Sequence, residues 1–300
     1  MPLPTEETPV HLAFVGDIML GRTLAQRIVD GKGDSIFKSV GTVLQSADIA
    51  IGNLECAIGV GGTKAKKGYA FLAPPASATL LANAGFDLLS LANNHSFDYG
   101  PDVFGQTQEL LSASGIKTVG AGRNASQAYS ASIFTAHGLR IAFLSYADVP
   151  SELGGFNAKS WTAGDATPGI AWADNESIIS SLHTWRSQAD FLIILFHFGT
   201  EGTIRPDARQ VELAHLAVDN GADLVVGSHP HLMQKEEMYN GRLIFYSMGD
   251  FVFDSFFGAY NKSDILEVTL ARERPVTYSL IPVTLVEGIP FLGQQAMKPS

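Results

Sequence analysis

Residues 223–231 read DLVVGSHPH, a short run of buried-strand character broken by a glycine and closed by two histidines around a proline. The same unit recurs along the chain. HLAFV (11–15) runs into Gly16-Asp17, DIAI (48–51) into Gly52-Asn53-Leu54-Glu55, and DLLSL (87–91) into Ala92-Asn93-Asn94-His95. IAFLSY (141–146) leads to Ala147-Asp148, FLIILF (191–196) to His197, and LIFYS (243–247) to Met248-Gly249-Asp250. Continuous apolar runs of this length fit strands covered on both faces, the environment of a mainly parallel sheet.

Between these runs lie helical stretches with start and stop signals. Residues 74–85 open on Pro74-Pro75 and end at Gly85, and 101–115 run from Pro101-Asp102 to Gly115. Residues 174–189 begin with Asp174-Asn175-Glu176, acidic residues suited to a first helical turn, and 206–221 run from Pro206-Asp207 to Asn220-Gly221. Alternation of this kind predicts an α/β fold. The stretch ILEVTLARERPVTYSLIPVTLVEG near the C-terminus alternates without helices, so antiparallel strands are expected within 256–300. The expectation is one domain over 1–300, with 1–10 as a tail.

Composition narrows the function classes. A hydrophobic share of 46% and a charged share of 17% describe a globular chain long enough to bury a large core. A net charge of −10 argues against nucleic acid, because phosphate neutralisation needs clustered cations and Lys64, Lys66 and Lys67 form the one basic cluster. A single cysteine, Cys56, excludes an intramolecular disulfide and reads as a small buried apolar residue. MPLPTEETPV lacks the basic start and apolar core of a signal peptide, and FLIILF is too short to span a membrane. The chain is expected to be soluble, either cytoplasmic or the extracellular part of a protein whose anchor was removed.

Ligands of open α/β sheets bind beyond the carboxyl ends of the strands. There the sequence places Asp17, Glu55, Asn94, His95, His197, His229, His231 and Asp250. Imidazole, carboxylate and amide oxygen without thiolate suit a hard-to-borderline divalent metal, and such a set can hold two ions about 3.5–4 Å apart. Each residue alone has an ordinary explanation: Gly-Asp is a common turn, and a single histidine after a strand more often serves packing. Their joint placement at successive strand ends favours a site. His11, His137, His183 and His215 are read as structural.

The set GDIMLGR (16–22), NLE (53–55), FLAP (71–74), LANNHSFDYG (91–100), ILFHFG (194–199), GSHPH (227–231) and YSMGDFVFD (246–254) resembles the CapA family of poly-γ-glutamate capsule biosynthesis proteins, a branch of the calcineurin-like metallophosphoesterases. The resemblance implies a four-layer α/β/β/α sandwich with mixed sheets and one or two divalent ions such as Mn, Fe or Zn. It implies Asp17, Glu55, Asn94, His197, His229 and His231 as ligands, with Asn53 as the alternative to Glu55 for the bridging acid, and Asp17 and His95 as catalytic residues, His95 as general acid or transition-state donor. Two departures stand out: the superfamily's Asp-x-His has Met19 in place of histidine, and the second motif is Asn-Leu-Glu.

Arg22 and Asn53 are candidate substrate contacts, Arg22 through a bidentate grip on an anionic group. The long segments 59–68 and 151–169 are candidate lids or substrate walls. The expected activity is metal-dependent hydrolysis linked to capsule or peptide metabolism, on an anionic small molecule, peptide or polymer. The alternatives are a non-catalytic accessory that binds the polymer, and a metal-dependent peptide hydrolase or epimerase.

Overall fold

The computed structural model describes residues 8–152, 154–254, 260–272 and 276–293. Two-residue strands aside, the first part of the chain supplies β1 (Val10–Ile18), β2 (Ile49–Leu54), β3 (Leu88–Ser90) and β4 (Lys117–Val119). The middle supplies β5 (Ser132–Ala136), β6 (Leu139–Asp148), β7 (Phe191–Phe198), β8 (Leu224–Ser228), β9 (Glu237–Tyr239) and β10 (Arg242–Phe245). The last part supplies β11 (Asp250–Val252), β12 (Lys262–Leu270), β13 (Thr277–Val286) and β14 (Ile289–Leu292). Of the expected tail, 1–7 lie outside the described residues, and Val10 already belongs to β1.

One sheet has the order β14-β13-β12-β1-β2-β3-β4, with β11 also paired to β1. The other runs β9-β10-β8-β7-β6-β5. Strands β1 to β4 are mutually parallel, as are β6, β7, β8 and β10. The C-terminal strands β12 to β14 add on antiparallel, as the alternating sequence predicts.

Strand alternation sorts the apolar runs into layers. In β1, Leu12 and Phe14 point into a core shared with Ile141, Phe143, Ile193, Leu195, Leu224 and Val226 of the other sheet. Ala13 and Val15 point away, into a cluster with Leu24, Leu44, Leu81, Phe104 and Leu111 from helices on the outer face. On the far side, Ala142, Leu144, Ile194 and Phe196 meet Ile178, Leu182, Leu213 and Ala217 of the helices Asn175–Arg186 and Ala208–Asp219. The result is the four-layer α/β/β/α sandwich with mixed sheets. Runs that must satisfy two apolar neighbours carry no polar alternation, which is why they read as continuous.

The helices are shorter at their ends than their sequence limits. Pro101–Ala113 and Ala208–Asp219 stop where caps take over. Asp207 caps the second through a reciprocal bond pair with Gln210. A larger difference concerns the run LIFYS. It ends as β10 at Phe245, and the chain then crosses to the other sheet, where Asp250 opens β11 beside Asp17. The crossing depends on glycine at both contact points. Gly249 takes φ +70°, and a Cβ on Gly16 would lie 1.8 Å from the Gly249 carbonyl oxygen.

Phe143 is fully buried between the sheets, against Phe14 and Phe134. Phe143→Ala should cost about 3–5 kcal/mol, read from urea unfolding. The exposed Val286→Ala should stay within about 0.5 kcal/mol of wild type.

Candidate metal centre

The carboxyl ends of both sheets open onto one cluster. β1 delivers Asp17, held by its own N–H donating to Gly249 O at 3.0 Å. Its Oδ1 accepts from Asn53 Nδ2 at 2.8 Å, and its Oδ2 accepts from the His229 backbone N–H at 3.1 Å. Glu55 follows β2, anchored by its N–H donating to Ile18 O at 2.8 Å. From the other sheet, His197 Nδ1 lies 3.8 Å from Asp17 Oδ1 and its Nε2 3.9 Å from Glu55 Oε1. His231 Nε2 approaches the same Glu55 oxygen at 3.8 Å. Asn94, on the turn after β3, sets its Oδ1 2.9 Å from His197 Nε2.

The turn after β8 presents its two histidines by unusual backbone. His229 and His231 take φ +97° and +59°, a left-handed region that side chains with a Cβ enter at a cost of about 1–3 kcal/mol. Between them, Pro230 removes the intervening N–H. Such strain persists where the surroundings over-determine it, and it gathers at functional sites.

Charge placement follows from burial. Burial, reinforced by the neighbouring histidines, holds His197 and His229 well below the usual imidazole range. They therefore stay neutral, as metal ligands must be. Burial also acts to lower His231, but Asp250 at 2.8 Å from its Nδ1 outweighs this and pushes it up to about 9. Asp250 itself rises to about 6, because burial outweighs its histidine partner. With Nδ1 committed to Asp250, His231 turns Nε2 to the cluster, where a bound cation would have to displace its proton; an outer carboxylate placed this way orients a histidine toward a metal.

The test of a metal lies in what is left over. Glu55 is fully buried, and neither of its carboxylate oxygens has a hydrogen-bond partner among the described residues. Buried His229 Nδ1 is unpartnered as well. Burial, then the nearby Asp17 and Asp250 charges, push the Glu55 carboxyl well above its ordinary range. A cation would remove that conflict. Donor atoms of Glu55, His197 and His229 lie within 4.8 Å of one another, as do those of Asp17, Glu55 and His231. The donor set fits a divalent ion.

His95 occupies the edge of the cluster. Its Nδ1 lies 2.6 Å from Asp98 Oδ2 and its Nε2 3.7 Å from Glu55 Oε1, while the ring stacks on Phe71 at 4.3 Å. Burial lowers its pKa, with Asp98 opposing. Lys67 fixes this corner: its Nζ donates to Asn94 O at 2.5 Å and meets Asp98 at 3.1 Å and Glu152 at 2.7 Å. The segments 59–68 and 151–169 are thus tied together beside His95.

Arg22 and Asn53 sit differently from open substrate contacts. The Arg22 guanidinium is bound by Asp254 and lies over the rings of Phe71 and Phe253. Phe71 in turn stacks on His95, and Phe253 meets His231 edge-on. Asn53 is buried beneath the cluster, where its Nδ2 holds Asp17 and its Oδ1 accepts from Asn93 at 3.1 Å. Met19 is buried with its sulfur accepting the Gly21 N–H at 3.0 Å. His137 pairs with Asp48 and His215 with Glu237, away from the cluster.

Asp98 and Glu201 carried no expectation, Lys67 and Glu152 fell within the candidate lid segments, and Asp250 carried no role. A usable signal existed for Asp98, which follows His95 by three residues in the same turn.

The bacterial capsule synthesis protein PGA_cap family model matches residues 11–255, a span that holds every member of the cluster. The chain belongs to that family. The PGA biosynthesis protein CapA of Bacillus subtilis (strain 168) is 33% identical, over 93% of this chain and 72% of its own length. The capsule biosynthesis protein CapA of Bacillus anthracis is 29% identical, over 95% and 70%. A hypothetical protein from Thermus thermophilus superposes with TM-score 0.57 at 17% identity, covering 91% of this chain and 98% of its own. A putative 5'-nucleotidase from Staphylococcus aureus, solved with alpha-ketoglutarate, superposes with TM-score 0.52 at 12% identity, covering 98% of this chain and 56% of its own. The fold of this PGA_cap chain is that of the metallophosphoesterases.

In this PGA_cap chain, Glu55→Gln replaces an unpartnered buried carboxylate by a neutral group. Without metal, its melting temperature should equal or exceed that of wild type. With Mn²⁺ at 100 times Kd, wild type should gain about 2.7 kcal/mol and the Gln variant less than half of that. Paired thermal melts with chelator and with Mn²⁺ read both effects.

Proposed function

We propose that this chain is a metal-dependent hydrolase acting on a phosphoester or related bond in the making or processing of an anionic capsule polymer. The observation that carries the reading is the fully buried Glu55 carboxylate, unpartnered among the described residues and facing His197 and His231 from the opposite sheet. The names of its Bacillus relatives, PGA and capsule biosynthesis proteins, supply the substrate class.

Asp17, Glu55, Asn94, His197, His229 and His231 would hold one or two divalent ions of the Mn, Fe or Zn kind. Bound there, such ions supply Lewis acidity and a nucleophile at neutral pH. The chain's own residues do the rest. Asn53 fixes the Asp17 carboxylate, and Asp250 fixes the His231 ring. Asp98 accepts from His95 Nδ1–H and favours the imidazolium, whose Nε2–H passes its proton to the departing oxygen and leaves neutral imidazole. Lys67 and Glu152 close the wall beside it and limit water. Arg22, held by Asp254 at the rim, adds positive charge beside the cluster that favours an anionic substrate.

The test uses Mn²⁺-loaded protein with bis-p-nitrophenyl phosphate and a γ-glutamyl peptide. His95→Ala should lower kcat by about 10²–10⁴-fold with metal content unchanged, whereas His197→Ala should lose metal as well. Metal-loaded protein that leaves phosphoesters intact, but exchanges solvent deuterium into a peptide Cα, would replace hydrolysis by epimerisation. Polymer binding without any turnover would leave an accessory role.

A further inference from the structure

His229 and His231 face a carboxylate beyond those at the base of the cluster. Glu201 lies on the turn after β7, four residues past His197. One of its carboxylate oxygens and a ring nitrogen from each of the two histidines all fall within 4.8 Å of one another. Glu201 is exposed where the inner acids are buried, and among the described residues no hydrogen bond or ion pair holds it.

An exposed glutamate near a histidine is ordinary on a protein surface. This one is delivered by backbone built for the purpose. The Gly202 N–H donates to Pro230 O at 2.9 Å, which bonds the Glu201 turn to the residue between the two histidines. Gln234 Nε2 donates to Thr203 O at 3.1 Å and secures the other side of the turn. At the turn's start, Gly199 takes φ +95°, and a Cβ there would lie 2.4 Å from the Gln210 side chain. Local sequence, backbone pairing and a tight glycine all set where Glu201 stands. His229 also carries a buried Nδ1 with no partner among the described residues. The same residue belongs to the inner triad with Glu55 and His197.

We propose that Glu201 is a metal ligand, completing with His229 and His231 an outer position for a divalent cation. The proposal rests on the reading of the cluster as a metal centre and adds a ligand to it. Two imidazoles and one carboxylate are a borderline donor set, suited to Zn²⁺, Mn²⁺ or Fe²⁺. Because Glu201 is exposed, this position lies on the solvent side of the cluster, where a substrate arrives. Three protein donors leave room for it, as catalytic sites require.

The full chain, stripped with chelator, is titrated with Mn²⁺, following free Mn²⁺ by electron paramagnetic resonance, and with Zn²⁺ by calorimetry. Glu201→Ala and Glu201→Gln should weaken one ion per chain by at least about tenfold, the lower end of what losing even an outer partner costs. Glu201→His, which restores a donor, should recover most of that loss. All three should melt with wild type when metal-free, since the side chain is exposed. If both the Ala and Gln variants bind Mn²⁺ and Zn²⁺ as wild type does, Glu201 is not a ligand, whatever happens to turnover. A fall in activity at unchanged metal affinity would make it a substrate contact and equally overturn the proposal. Wild type that binds neither ion would sink the metal centre itself, an outcome distinct from the others.

Discussion

A carboxylate stripped of water and given no donor in return is among the most expensive groups a fold can carry, costing several kcal/mol if charged. Glu55 is in that position, fully buried, with both oxygens unpartnered among the described residues and with Asp17 and Asp250 close enough to make matters worse. Its options are to bind a proton or a cation. Four imidazoles surround Glu55, His95, His197, His229 and His231, and burial keeps His197 and His229 neutral. Neutral imidazoles beside unpartnered carboxylate oxygens make a candidate site for a metal, and the rest of the architecture serves to bring them together.

The division of labour between the sheets makes this possible. The sheet built on β1 supplies the acids and amides, Asp17, Asn53, Glu55 and Asn94, and the sheet built on β7 and β8 supplies His197, His229 and His231. Neither sheet could assemble the donors alone. The inter-sheet core of Phe14, Phe143, Ile193 and Val226 fixes their separation. The glycine contact between residues 16 and 249 then brings Asp250 across to brace His231. Left-handed backbone at both histidines shows where packing energy is drawn on to hold these two side chains in place.

Much of this was visible in the chain because it is local. An apolar run that ends in glycine and a polar residue marks both a strand and the end at which chemistry gathers, so Asp17, Asn94, His197, His229 and His231 stand out as candidates by recurring together at successive strand ends, not singly. Antiparallel strands near the C-terminus were equally plain from their alternation. What escaped depends on contacts between distant segments. Arg22 meets Asp254, 232 residues away, and is packed over aromatic rings rather than left open. Asp250 reads as the end of LIFYS but begins a strand of the other sheet. Lys67 and Glu152 come from two loops whose meeting no periodicity encodes. Glu201 sits in a turn whose position is set by a backbone bond to Pro230, a bond that leaves no mark in composition.

Membership of the PGA_cap family and the metallophosphoesterase fold agree with this picture, yet the family match alone does not say what Glu55 faces. Anomalous diffraction at the manganese edge from a crystal grown with Mn²⁺ addresses that directly. The account predicts a peak in contact with a Glu55 oxygen and ring nitrogens of the histidines that surround it. A fully loaded crystal with no peak at Glu55, its carboxyl protonated and hydrogen-bonded within the protein, would contradict it.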